Sequence, residues 1–218
     1  MPVQRLALFD LDNTLVDLDT AFRVWVQEFA EEYRLEDGAV DWLIGLDRDG
    51  YPHREVFFAK VRERFVLPDS VEELWGRYRL QMPYLVRCRP EVLDGLARLR
   101  ASGWRVAIVT NGTADNQLGK IHQTGLAEAV DAYALSGAEG IRKPDVGLFE
   151  IAAKRCGVAL AEGGWVIGDN LTADIAGGRA AGLRTIWIDR GTWPGVDHQA
   201  DHAVTDVLEA IEVLERHG

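Results

Sequence analysis

Short apolar runs that stop at a polar or acidic residue recur along this chain, and stretches of helical period separate them. The first is Leu6 to Asp10. A strand covered by helices on both faces reads as such a continuous run, without alternation. Trp104 to Val109, Val130 to Leu135, Trp165 to Ile167 and Thr185 to Ile188 repeat the pattern, each rich in β-branched or aromatic residues. Strands alternating with helices in this way predict an α/β fold built on a doubly wound parallel sheet.

Between the first run and the second, the pattern is helical throughout. Phe22, Val26, Phe29 and Tyr33 fall on one helical face, as do Val56-Phe57, Lys60-Val61 and Phe65. Val71, Leu74-Trp75 and Tyr78 form a further face, with Asp69-Ser70 as its cap and Glu72-Glu73 in its first turn. We expect residues 16–87 to form a helical domain inserted into a core made of residues 1–15 and 88–218, with Gly45 to Pro52 as its clearest loop. The core resumes at Arg89-Pro90, where proline opens a helix carrying Val92, Leu93, Leu96 and Leu99.

Composition narrows the function classes. Lys+Arg 24 against Asp+Glu 35 gives a net charge of -11, which opposes binding to nucleic acid or to anionic membranes. Charges interrupt every stretch that could approach the roughly 18 to 20 apolar residues of a membrane helix, and the N-terminus does not read as a secretory signal, so a cytoplasmic location is expected. Cys88 and Cys156 lie far apart and form no CxxC, so neither a disulfide framework nor a zinc ribbon is expected. His198 and His202 are read as part of a solvated loop or helix start, and Gly177-Gly178, lacking the spacing of a dinucleotide loop, as a site of close helix packing.

The chemistry gathers where strands end. Asp10 and Asp12 follow the first run two residues apart, so both carboxylates point to the carboxyl edge of the sheet, where open α/β folds bind ligands. At about 4 Å and an effective dielectric near 20, two such charges repel by roughly 4 kcal/mol, so the pair calls for a cation or a shared proton. A turn in which Asp12 or Asn13 caps the next helix is the alternative. Thr110, Asn111 and Gly112 end the second run with a hydroxyl, an amide and a backbone that can hold phosphate oxygens, or else form a plain strand-to-helix turn. Lys143, one of four lysines, precedes Pro144 at a helix start and offers a compact charge. Gly168 and Asp169 end a further run, and Asp174 lies five residues beyond Asp169, as a second acid at the site or as a cap for the next helix. Four acids at strand ends suit a hard cation with oxygen ligands, Mg2+ over zinc.

Taken in order, Asp10-Leu-Asp12-Asn-Thr14, Thr110-Asn111-Gly112, Lys143-Pro144 and Gly168-Asp169-Asn-Leu-Thr-Ala-Asp174 resemble the four motifs of the haloacid dehalogenase (HAD) superfamily, and the helical insertion resembles its C1 cap. The resemblance covers the whole chain. It implies a phosphatase that acts on a small phosphorylated molecule, with Asp10 as nucleophile and Asp12 as general acid and base. It also implies Mg2+ held by Asp10, the carbonyl of Asp12 and Asp169, with Asp174 acting through water or by orienting Lys143. Thr110, Lys143 and the amides at Asn111 and Gly112 would hold the phosphate.

Within the same superfamily a 2-haloacid dehalogenase is disfavoured by the presence of Asp12 and of the acids at 169 and 174, whereas a phosphomutase stays open. A receiver-like signalling module shares the residue types but is short and lacks an inserted domain. Arg48, Tyr51 and Arg54, with Asp49 and His53, lie in or beside the loop of the insertion and are candidate selectors of the leaving group.

Overall fold

The computed structural model describes residues 5–47 and 53–217. The chain divides into two compact units, one made of residues 1–17 with 87–218 and the other of residues 18–86.

The larger unit holds a parallel sheet. Among the described residues its strands are β1 (Leu6–Phe9), β2 (Arg105–Thr110), β3 (Ala132–Leu135), β4 (Trp165–Gly168), β5 (Arg184–Ile188) and β6 (His202–Val204), in the spatial order β3-β2-β1-β4-β5-β6. Every pairing is parallel, with Leu6 opposite Arg105 on one side of β1 and Ala7 opposite Trp165 on the other. The four residues of β1 are fully buried, which is why that strand reads as an unbroken apolar run. The order reverses direction next to β1, so the crevice at its carboxyl end is the ligand position of a doubly wound sheet.

The five expected strands fall within a residue or two of their predicted places. β6 is the one that the sequence concealed. His202-Ala203-Val204 is too short and too polar to stand out, and it forms only because β5 offers an edge, pairing Ile186 with His202. His202 is therefore a strand residue, and its ring lies against Trp165.

Helices of the smaller unit are α1 (Leu18–Glu32), α2 (Ala39–Leu46), α3 (Arg54–Phe65) and α4 (Val71–Leu85). They enclose an aromatic core in which Trp25 meets Phe29 at 4.8 Å, Tyr78 at 5.0 Å and Phe58 at 5.7 Å between ring centroids. The buried face of α3 is Phe57, Phe58 and Val61, whereas Val56 is 46% exposed. The expected face of α3 was thus rotated by one residue, because two adjacent phenylalanines and a flanking valine fit either phase by periodicity alone. α4 begins as expected: Ser70 Oγ accepts from Glu73 N at 3.2 Å and Glu73 returns the contact to Ser70 N at 2.8 Å, a complete capping box.

The remaining helices of the larger unit are α5 (Pro90–Ala101), α6 (Ala114–Gln123), the short α7 (Leu126–Ala129) and α8 (Ser136–Glu139), α9 (Val146–Arg155), the short α10 (Gly177–Ala180) and α11 (Val207–Arg216). A wide π-helical turn spans Leu171–Ala176. Leu148, Phe149, Ala152 and Ala153 of α9 join Leu6, Leu8, Ala107 and Val109 in the core beneath the sheet. The Gly177-Gly178 pair serves packing: a Cβ at Gly177 would lie 3.0 Å from Pro144 Cα, and one at Gly178 2.9 Å from a Val166 methyl. Cys88 and Cys156 are free thiols. No helix among the described residues is long and apolar enough to cross a membrane.

Replacing Ser70 by alanine removes one donor–acceptor pair of the capping box and is expected to destabilise the helical unit by about 1 kcal/mol. Urea unfolding followed by circular dichroism reads this, and an unchanged midpoint would show that the cap is idle.

Candidate active site

Three neighbouring strands, β2, β1 and β4, end side by side, and each leaves polar residues at its carboxyl end. Asp10 follows β1 directly, pinned by its N–H donating to Ile167 O of β4 at 2.8 Å. Thr110 closes β2 and is 1% exposed, and Asp169 follows β4. Parallel pairing with matched register therefore delivers the first aspartate, the hydroxyl and the third aspartate to one rim.

Lys143 joins them from the loop before α9. Its Nζ donates to Asp10 Oδ1 at 2.6 Å and to Asp174 Oδ1 at 2.6 Å, and its side chain is 2% exposed. The loop is held by Asn111, whose carboxamide donates to Lys143 O at 3.0 Å and accepts from Lys143 N at 2.9 Å. Both ends of the Asn111 side chain are thus taken up in placing Lys143. The Gly112 N–H, one of the amides expected at the phosphate, donates to Ser136 Oγ at 3.0 Å.

Asp174 comes to the rim through two local devices. Asn170 caps the π-helical turn, its Oδ1 accepting from Thr172 N at 3.0 Å and Ala173 N at 2.8 Å, so Asn170 takes the capping place that Asp174 could have filled. Gly168 leaves the space that the acid occupies, since a Cβ there would lie 2.3 Å from Asp174 Cγ. Asp174 Oδ2 then accepts from Asn170 N at 3.1 Å. Asp169 is fixed from β5, where Trp187 Nε1 donates to its carbonyl at 3.0 Å, and from Arg190, whose Nη1 lies 3.3 Å from Oδ2.

Asp10, Asp169 and Asp174 each present a carboxylate oxygen within 4.8 Å of the other two. Oxygens on opposite sides of one Mg2+ lie about 4.2 Å apart at bond lengths of 2.0–2.1 Å, so a small closure would bring these onto one ion. The donor set is all hard oxygen, which fits that cation and not zinc. Charge balance points the same way. Asp10 and Asp174 share the single ammonium of Lys143, so this buried group carries an excess of negative charge. Burial, and after it Asp174, push the Asp10 carboxyl up to about 7 in spite of Lys143. Burial opposes the charge on Lys143, but the two carboxylates outweigh it and raise its proton affinity above the ordinary lysine value.

The Asp12 carboxylate has partners other than those of this triad. Lys120 Nζ of α6 reaches its two oxygens at 2.7 and 2.9 Å, and Gln117 Nε2 reaches Oδ2 at 3.0 Å. Gln117 Nε2 also donates to Thr110 Oγ1 at 2.7 Å. Neither residue belongs to the four motifs. Lys120 could have been singled out as another of the four lysines, placed with Gln117 at i, i+3 on the helix that follows Thr110.

Of the candidate selectors, Arg48, Asp49 and Tyr51 lie outside the described residues. Arg54 is engaged inside the helical unit: Nη1 and Nη2 each lie 3.1 Å from an Asp47 oxygen, and the guanidinium stands 5.0 Å from the Phe22 ring, 5.2 Å from Phe57 and 5.0 Å from Tyr78. The His53 ring meets Trp75 at 5.8 Å.

A family model for haloacid dehalogenase-like hydrolases matches residues 4–182. The phosphoserine phosphatase of Thermus thermophilus is 38% identical over 147 residues, a match that takes in 66% of this chain and 57% of that protein's length. The glyceraldehyde 3-phosphate phosphatase of Pyrococcus furiosus is 27% identical over 226 residues, covering 97% of this chain and 93% of the relative. A HAD phosphatase from Thermococcus onnurineus superposes with a TM-score of 0.69 at 24% identity, covering 97% of this chain and 98% of that one, a likeness of fold.

Asp10 ionises from 3.8 in its ordinary state but only at about 7 when folded, so between these values the folded chain binds a proton that the unfolded chain releases. The stability that Asp10 contributes is complete below about pH 4 and gone above about pH 7. In EDTA, the melting temperature of the wild type should fall over that window relative to Asp10→Asn. Parallel curves would refute the raised ionisation.

Proposed function

Because this chain belongs to the haloacid dehalogenase-like hydrolase family, we propose that it is a Mg2+-dependent phosphatase that hydrolyses a phosphomonoester of a small metabolite through a phosphorylated Asp10. The observation that carries this reading is the Lys143 ammonium bridging Asp10 and Asp174, with Asp169 alongside, at the carboxyl end of the central strand.

Asp10, Asp169, Asp174 and the main-chain carbonyl of Asp12 would hold Mg2+, with Asp174 acting through water or through Lys143, to which one of its oxygens is bonded. The bound cation supplies the positive charge that lets an anionic nucleophile approach a phosphate dianion. Asp10 then attacks phosphorus. A new O–P bond forms at its carboxylate, the bond to the leaving oxygen breaks, and Asp12 gives that oxygen a proton. Water attacks next, its proton passes to Asp12, the Asp10–phosphorus bond breaks and inorganic phosphate departs. Lys143 and the Thr110 hydroxyl would stabilise the equatorial oxygens. Asn111 and Gly112 would support the phosphate indirectly, the first by placing Lys143 and the second by making room for Gln117, since a Cβ at Gly112 would lie 2.8 Å from the Gln117 side chain.

The second acid, Asp12, favours phosphoryl transfer over attack at carbon, where no leaving oxygen needs a proton. The relatives, a phosphoserine phosphatase and a glyceraldehyde 3-phosphate phosphatase, support a small phosphomonoester as substrate. Arg48, Tyr51 and Arg54 are our candidates for choosing the leaving group. Arg54, ion-paired with Asp47, would act through the shape of the helical unit and not as an unpaired charge.

Phosphate release from p-nitrophenyl phosphate and from a panel of three-carbon phosphates should require Mg2+, stop with EDTA, and vanish in Asp10→Asn. Turnover that survives either EDTA or this substitution would end the reading.

A further inference from the structure

Every carboxylate of the triad is accounted for by Lys143, Arg190 or the proposed cation, but Asp12 is held by a separate pair of residues that none of the four motifs contains. Lys120 is 2% exposed and Gln117 1% exposed, although lysine and glutamine are ordinarily surface residues. They leave α6 one turn apart and converge on a single acid more than a hundred positions earlier in the chain. A buried ammonium is tolerated only against a matching charge with satisfied donors, and Asp12 supplies two acceptors at 2.7 and 2.9 Å.

Gln117 is more constrained still. One amide hydrogen goes to Asp12 Oδ2 at 3.0 Å and the other to Thr110 Oγ1 at 2.7 Å. The reversed amide would set its oxygen against a carboxylate, so the orientation is fixed by charge. Because the Thr110 oxygen accepts from Gln117, its own hydrogen is directed elsewhere, to an acceptor such as a phosphate oxygen.

We propose that Lys120 and Gln117 are positioning residues of the phosphoryl-transfer site, Lys120 aiming the Asp12 carboxyl at the leaving oxygen and Gln117 aiming the Thr110 hydroxyl at the phosphate. The proposal rests on the reading of Asp12 as acid and base. Lys120 fixes the plane of the Asp12 carboxyl, because the ammonium engages both oxygens when the group is ionised and still engages one when the other carries the proton to be donated. Gln117 ties that carboxyl to the phosphate-binding hydroxyl of the next strand, so that the two halves of the site are set relative to one another by one amide.

The two roles separate by leaving group. A dinitrophenolate departs without a proton, whereas an alkoxide does not, so in kcat/KM, which reports the steps up to departure of the leaving group, the aim of Asp12 matters for one and not for the other, while the aim of Thr110 matters for both. General acid catalysis contributes about 10²–10⁴-fold, and misplacing the acid is expected to forfeit about 10- to 100-fold of it. In Lys120→Met, kcat/KM should fall by that factor for glycerol 3-phosphate but by less than about threefold for 2,4-dinitrophenyl phosphate, with Lys120→Arg restoring much of the loss. Gln117→Leu should lose activity on both substrates alike. Circular dichroism of each variant confirms folding, and Lys120→Gln, which removes the charge but keeps a polar side chain, is read for the same split between substrates if Lys120→Met does not fold. Equal losses on the two substrates in Lys120→Met, or no loss on either, overturn the proposal while leaving the phosphatase reading intact. A wild type that releases phosphate from neither substrate instead defeats the phosphatase reading, and this inference with it.

Discussion

The site is organised around a shortage of positive charge. Asp10 and Asp174 are both buried, and one ammonium, that of Lys143, serves them both at 2.6 Å. Removing one partner of such a buried ionic group leaves an uncompensated charge, a loss of about 3–5 kcal/mol. The geometry of the rim is therefore rigidly specified: the Asn111 carboxamide grips the Lys143 backbone, Gly168 vacates the volume that Asp174 fills, and Asn170 caps the turn that carries it. The same imbalance raises the Asp10 carboxyl and makes an all-oxygen cation site physically reasonable there. A centre that would bind a divalent ion and a phosphate is thus also a centre of stored electrostatic tension.

Two separately charged compartments meet at the end of β1. On one side Asp10, Asp169 and Asp174 face Lys143 and Arg190; on the other Asp12 faces Lys120 and Gln117. Two carboxylates only two residues apart can coexist because different ammonium groups meet them, Lys143 from the loop before α9 for Asp10 and Lys120 from α6 for Asp12. The division suits the two tasks proposed for these acids. A nucleophile must approach phosphorus surrounded by positive charge, whereas an acid–base group must be aimed at a leaving oxygen and then at water.

Much of this arrangement was legible in the linear pattern. Apolar runs ending in acids located β1 and β4, the hydroxyl after Ile108-Val109 located the end of β2, and Ser70 with Glu73 announced the start of α4. These signals work because burial on both faces of a sheet, or on one face of a helix, imposes a local period or run length. Where local sequence permits two solutions it misleads, as on α3, whose face is set by Phe57 and Phe58 packing on Trp25 and not by Val56. β6 is a similar case, since three residues acquire strand structure only from a neighbour that is already in place.

The class of fold and the acids and hydroxyl at the strand ends can be read before folding, because they follow from residue type and local spacing. The pairing of the charges is settled in three dimensions. Spacing along the chain contains nothing that joins Lys120 to Asp12 or assigns Asn111 to the backbone of Lys143, since such partners are chosen by the order of strands in the sheet and by how each helix docks on it. Hydrogen bonds of this kind depend on distances of a few ångströms between elements far apart in sequence, and those distances exist only once the chain has folded.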